Sequence, residues 1–147
     1  MNLIASIMAG TFIATVILGA RADFVRPAGD WAIPADVVEV YDGDTIRVDA
    51  HPWPDMTIRV SIRIDGIDTP EIHGKCDDEI NRAKAAKEFL TRAAGDHVTI
   101  LNPRPGKFAR RMLADVLIPT GEDVASLMIN NGFAREYHGE HRAGWCG

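Results

Sequence analysis

The run Thr57-Ile58-Arg59-Val60-Ser61-Ile62-Arg63-Ile64 alternates without a break. Ile58, Val60, Ile62 and Ile64 point one way; Thr57, Arg59, Ser61 and Arg63 point the other. That period belongs to a strand with one face on a core. Its limits follow from neighbouring residues. Upstream, His51-Pro52-Trp53-Pro54-Asp55 holds two prolines, which remove ladder donors, and reads as a hairpin loop. Downstream, Gly66 and Pro70 break the strand and leave Asp68, Thr69 and Glu71 on a loop. Arg63 therefore lies on the polar face, beside that loop.

The other elements are arranged around this strand. Val37–Tyr41 and Thr45–Asp49 read as two strands joined by the Asp42-Gly43-Asp44 turn. His73–Asp78 is an irregular connection. A helix follows over 79–94, with Ile80, Ala83, Ala86, Phe89, Leu90 and Ala93 as its apolar face. Asp77 or Asp78 is its candidate N-cap, and Gly95 ends it. His97–Leu101 and Met112–Ile118 are the fourth and fifth strands, separated by a loop over 102–106. Val124–Asn131 is a short helix with Val124, Leu127 and Met128 inward, stopped by Gly132. The fold class expected is mainly β (α+β): a five-stranded OB-fold Greek-key barrel with two to three helices. Such a barrel does not by itself imply catalysis.

The N-terminus is different. Residues 3–20 contain no charged side chain, and Ala20-Arg21-Ala22 supplies small residues at −3 and −1. Residues 1–22 read as a secretory signal peptide cut after Ala22; the alternative is an uncleaved N-terminal anchor. Residues 23–34 read as an irregular lead-in, and 35–147 as the domain. Both signal and anchor place that domain outside the cytoplasm, periplasmic or secreted in the first case and membrane-anchored in the second. An oxidising compartment allows a disulfide between the two cysteines, Cys76 and Cys146, which in a cytosolic chain would be free thiols.

Net charge is −5, and Arg21 is the only charged side chain in 1–22, so the remainder carries −6. That is no footprint for gripping nucleic acid through a broad basic surface. Any phosphate binding must be local. A local candidate exists. Asp42-Gly43-Asp44-Thr45 and Asp65-Gly66-Ile67-Asp68-Thr69-Pro70-Glu71 place carboxylates at the ends of successive strands, where they can converge on one hard cation. Arg63 brings a planar fork suited to phosphate. The spacing does not fit an EF-hand, because Ile46 stands where an oxygen ligand is needed. Taken singly, Asp42 and Asp44 fit a hairpin turn and Arg63 a solvated strand residue. The five histidines show no zinc-type spacing with the cysteines.

Taken together, Val40-Tyr41-Asp42-Gly43-Asp44-Thr45, Arg63 to Glu71 and Arg111-Met112-Leu113-Ala114 resemble the staphylococcal (thermonuclease-type) nuclease family, in order and spacing, over roughly 37–134. The resemblance implies an OB-fold, a calcium-dependent phosphodiesterase activity, and DNA and RNA as substrates. By motif, Asp44 and Asp68 resemble the metal-binding aspartates, with Thr69 offering its carbonyl. Glu71 resembles the glutamate that activates water. Arg63 and Arg111 resemble the two phosphate-contacting arginines. The family choice is Ca²⁺, although the same oxygen donors accept Mg²⁺.

The sequence departs from the family pattern in three places. Gly106-Lys107-Phe108-Ala109-Arg110-Arg111 leaves either Arg110 or Arg111 for the second arginine, with spacing in favour of Arg111. The nucleotide-pocket aromatics are not cleanly matched; Lys107, Phe108, Arg110, Tyr137 and His138 are the nearby candidates for substrate contact. The C-terminal helix is shortened, and Trp145-Cys146 anchors the tail through the disulfide. The expectation is an exported monomeric nuclease that needs no stable protein partner. It touches a membrane only if residues 1–22 stay uncleaved. The competing reading is a non-catalytic OB-fold nucleic-acid-binding module, which would need a basic groove interleaved with aromatics.

Overall fold

The computed structural model describes residues 31–107 and 110–147. The signal peptide or anchor, most of the lead-in, and Phe108 lie outside the described residues. Nine elements follow in order: β1 (Ala32–Val40), β2 (Thr45–Trp53), β3 (Met56–Ile64), β4 (Ile67–Asp68), α1 (Asp77–Ala94), β5 (His97–Pro105), β6 (Arg111–Leu117), α2 (Val124–Asn130) and β7 (Arg135–Glu136). Five strands close a barrel in the order β1-β2-β3-β6-β5. Its pairings are antiparallel except β3 with β6, which run parallel with Arg63 beside Leu113 and Ser61 beside Arg111. This is the expected OB-type barrel with two helices among the described residues, neither long and apolar enough to cross a membrane.

The period-two patterning drives the closure. Ile46, Val48, Ile62, Ile64, Ile100 and Val116 all point inward and are at most 1% exposed. Helix α1 covers one end with Ala83, Ala86, Leu90 and Ala94, and α2 adds Val124 and Met128. Phe89 stacks on Phe133, ring centroids 4.6 Å apart. Ile58 is an exception: it follows the apolar alternation yet is 47% exposed. Only Ser61–Ile64 of β3 pair with β6, so the first half of the strand projects beyond the barrel on β2 alone.

Several boundaries differ from the sequence reading. β1 begins at Ala32, inside the expected lead-in. Pro34 is tolerated because pairing with β2 starts only at Ala35, leaving one flank open. β2 runs through His51 and Pro52 to Trp53, and a register irregularity between Ala50 and Trp53 absorbs the proline. The turn that remains is Pro54-Asp55, with Asp55 at φ 61°. β5 likewise continues to Pro105 across an irregularity between Leu101 and Arg104, with Asn102 at φ 50°. The loops expected over 51–55 and 102–106 are therefore largely bulged strand.

The helix also shifts. Its N-cap is Cys76, whose sulfur accepts from Glu79 N at 3.5 Å, rather than Asp77 or Asp78. Those two carboxylates sit in the first turn, where the helix dipole favours them. The buried face passes through Glu79 and Ala94, while Ile80 and Ala93 are half-buried. Glu79 is four residues before Ala83 and so falls on the same face. Its charge is satisfied by Lys75 N at 2.9 Å and Glu71 N at 3.4 Å. Gly74 is needed here, since a Cβ would stand 2.5 Å from Glu79 Cγ.

Candidate active site

The site grows from the Asp42–Thr45 turn. Tyr41 N donates to Thr45 O at 2.9 Å, and Ile64 N donates to Asp44 O at 2.8 Å, fastening the turn to the end of β3. Gly43 lets this turn lie directly on its neighbours: a Cβ there would meet Ala86 Cβ at 2.9 Å and Thr69 Cβ at 3.0 Å. Asp44 is thereby driven inward, to 2% exposure. Its Oδ1 accepts from Thr45 Oγ1 at 2.9 Å and its Oδ2 from Thr69 Oγ1 at 3.1 Å. Arg63 forms an ion pair with Asp44 and donates to Ile67 O at 3.2 Å. Asp42 accepts from Asp44 N at 3.2 Å. Burial, and then the adjacent Asp44 charge, push the Asp42 carboxyl up to about 6.

Asp68 is 5% exposed and is not on a loop. Ile67 and Asp68 form β4, paired antiparallel with Glu136 and Arg135 of β7, and Tyr137 N extends the pairing to Gly66 O at 2.9 Å. The C-terminal tail thus runs along the metal-ligand candidate. It then folds back. Trp145, 8% exposed, donates Nε1–H to Asp68 Oδ2 at 3.0 Å. Arg142 Nε lies 2.8 Å from Asp68 Oδ1, and Arg142 Nη1 donates to Glu71 Oε1 at 2.5 Å. The Nε contact is an ion pair without hydrogen-bond alignment: Oδ1 is buried and accepts no hydrogen bond. Burial works against the Arg142 charge, but the Glu71, Asp68 and Asp44 carboxylates outweigh it and hold the guanidinium above its ordinary range. The Cys76–Cys146 disulfide, Cα atoms 6.0 Å apart, ties the tail to the start of α1.

A cleft of about 650 Å³ opens beside these groups. Arg63, Glu71, Arg111 and Arg142 line it, as do Tyr41, Lys107 and Tyr137. A second depression of about 340 Å³ holds Asp68, Thr69 and Trp145, and shares Glu71 and Arg142 with the first. The structure thus brings Asp44, Asp68, Thr69, Glu71, Arg63 and Arg111 to one end of the barrel. Arg110 stands apart, exposed in the turn before β6 with φ 64°. His138 is exposed, its backbone N–H bonded to Glu140 at 2.9 Å.

Two further comparisons bear on this geometry. The family model described as "Staphylococcal nuclease homologue" matches residues 61–144, more than half of the chain. The chain belongs to the staphylococcal nuclease homologue family. No curated protein matches it. The matched span runs from the second half of β3 into the tail and stops at Gly144, so it contains Arg63, Asp68, Thr69, Glu71, Arg111 and Arg142 but not Trp145 or Cys146. The Asp42–Thr45 turn lies before it and is joined to it by the contacts of Asp44 with Arg63 and Thr69. Enzymes of this family are generally nucleases, typically dependent on Ca²⁺, and the domain implies interaction with nucleic acid.

Sequence reading did not find Arg142, nor the contact of Trp145 with Asp68. Only Cys146 hinted at them, because its partner lies next to α1. Glu79, which braces the Glu71 backbone, carried no signal beyond its helical position.

Proposed function

We propose that this chain is an exported, metal-dependent nuclease that hydrolyses phosphodiester bonds of DNA and RNA with little sequence preference. One observation carries the reading: of two buried carboxylates, Asp44 pairs with Arg63 and Asp68 is linked to Glu71 through Arg142, beside a cleft that Arg63, Glu71, Arg142 and Arg111 line. The donor set suits a hard cation, since Asp44, Asp68 and the Thr69 carbonyl offer only oxygen. Asp68 Oδ1, buried without a hydrogen bond, is the atom such an ion would complete. Ca²⁺ is the proposed ion and Mg²⁺ the second choice. Bound there, it supplies positive charge and polarises a phosphoryl oxygen.

The chain's own groups do the rest. Arg63 on β3 and Arg111 on β6 approach a phosphate from adjacent parallel strands and stabilise the charge that builds on it. Glu71, half exposed and at the edge of both depressions, takes the proton of the attacking water. Lys107 and Tyr137 line the approach and contact substrate. Export is supported by the disulfide and by the uncharged N-terminal run.

A second reading has one observation in its favour. Arg142 pairs with both Asp68 and Glu71, which suits a module that binds nucleic acid without cleaving it. The acidic net charge argues against that binder. Digestion of single-stranded DNA by the purified chain separates the two. Cleavage in Ca²⁺ that EDTA abolishes is expected. Tight binding with no cleavage above the EDTA control would give the binding module preference.

A further inference from the structure

Both oxygens of the Asp68 carboxylate are met by the C-terminal tail. Trp145 Nε1 holds Oδ2 at 3.0 Å, and Arg142 Nε faces Oδ1 at 2.8 Å. The two contacts have opposite consequences for a cation. An indole N–H fixes the orientation of the carboxylate and leaves its charge in place, as outer-shell donors do for metal ligands. A guanidinium neutralises that charge and occupies the oxygen that a cation needs. We propose, on the metal-dependent reading above, that Trp145 and Arg142 are positioning residues that set the metal affinity of this site in opposite senses: Trp145 orients Asp68 for the ion, and Arg142 stands in the ion's place until it is displaced.

The tail is built to hold this arrangement. Trp145 is 8% exposed, with the Arg135 guanidinium over its ring at 3.7 Å. Arg135 also donates to Gly144 O at 3.1 Å and pairs with Asp68 in the β4–β7 ladder. Cys146, the next residue, is bonded to Cys76. The indole therefore has little freedom to leave Asp68 while the disulfide is intact. Arg142 is freer. Its side chain is 39% exposed and lines the substrate cleft beside Arg63 and Arg111. Displaced from Asp68, it can turn to that cleft without moving the tail.

The test is calorimetric titration of the full chain with Ca²⁺ alone, with thermal melting as a second readout. Trp145→Phe leaves an aromatic face for Arg135 but removes the donor. Its Kd for Ca²⁺ should rise about 10–100-fold, the usual cost of losing an outer-shell partner, while the metal-free protein still melts cooperatively, at a lower temperature because Asp68 Oδ2 has lost a buried donor. Arg142→Gln should bind Ca²⁺ severalfold more tightly than wild type. Arg82→Gln, which makes the same charge change at the Asp78 pair on α1, should leave the Kd unaltered. An unchanged Kd in Trp145→Phe overturns the orienting role. Weaker binding in Arg142→Gln overturns the competing role. Wild type that takes up no Ca²⁺ would overturn the metal site itself, an outcome distinct from either.

Discussion

Among the described residues, Asp36 and Asp68 each bridge the side-chain nitrogens of two residues, and they behave as opposites. Asp36 accepts from His51 Nε2 at 3.0 Å and His97 Nδ1 at 2.8 Å, on the barrel surface. Asp68 faces Arg142 Nε at 2.8 Å and Trp145 Nε1 at 3.0 Å, at the barrel mouth. The distances are nearly the same. The Asp36 side chain, however, is 54% exposed and that of Asp68 8%. Water screens the first cluster and replaces its partners freely, so it contributes little. The second has no such replacement, and each missing partner there is felt. Contact geometry alone does not rank the two; burial does.

The largest effects should come from attacking the buried cluster through activity. Glu71→Gln removes the proposed base and should lower kcat about 10²–10⁴-fold, read by single-turnover cleavage of labelled single-stranded DNA. A rate within threefold of wild type would remove Glu71 from the chemistry. Arg63→Ala should cost about 10²–10³-fold in the same assay. It also strands the Asp44 charge, and losing one partner of such a pair costs about 3–5 kcal/mol when fully buried. Arg63 is 16% exposed, so the lower end applies. Denaturant titration in EDTA should show it, and saturating Ca²⁺ should return part of it. Equal stability in the two media would break the contrast just drawn.

Opening the disulfide is the next largest. Cys76 and Cys146 are 70 residues apart, and removing a native cross-link of that span costs about 2–5 kcal/mol. Reductant should lower the unfolding free energy by that amount, read from denaturant titration, and loosen the tail from Asp68. The surface cluster supplies the small end of the scale. Hydrogen bonds from His51 and His97 hold the Asp36 carboxyl below its ordinary value of 3.8. A lowered carboxylate contributes stability above its unfolded value and loses it as pH falls through the lowered one. Asp36→Asn should therefore differ from wild type only slightly near neutrality, and the difference should shrink as pH falls below 3.8 and vanish below the lowered value. A large neutral-pH loss would mean that exposure had misled the ranking.

Much of the barrel was legible in the chain because its signal is local. Ile62, Arg63 and Ile64 declare their faces by alternation. The Asp42–Thr45 turn and the Asp68–Glu71 segment stand out by composition and spacing. What stayed hidden is non-local. A two-residue strand such as Ile67-Asp68 has no period, and its partner lies far along the chain in Arg135-Glu136. Arg142 looks like any solvated arginine in a polar tail. The ends of β2 and β5 were misplaced because prolines read as breaks, and bulges at Ala50–Trp53 and Leu101–Arg104 admit them. Cys76 took the cap from Asp77 because nothing local separates one candidate cap from its neighbour.

The β4–β7 pair has a consequence for the order of assembly. Ile67 must wait for Glu136, roughly seventy residues later, and contacts that close long loops form late. Asp68 gains Arg135, Arg142 and Trp145 only once the segment through residue 145 has been made. A chain that stops short of the tail can close its five-stranded barrel and still lack both the donor that orients Asp68 and the arginine that neutralises it.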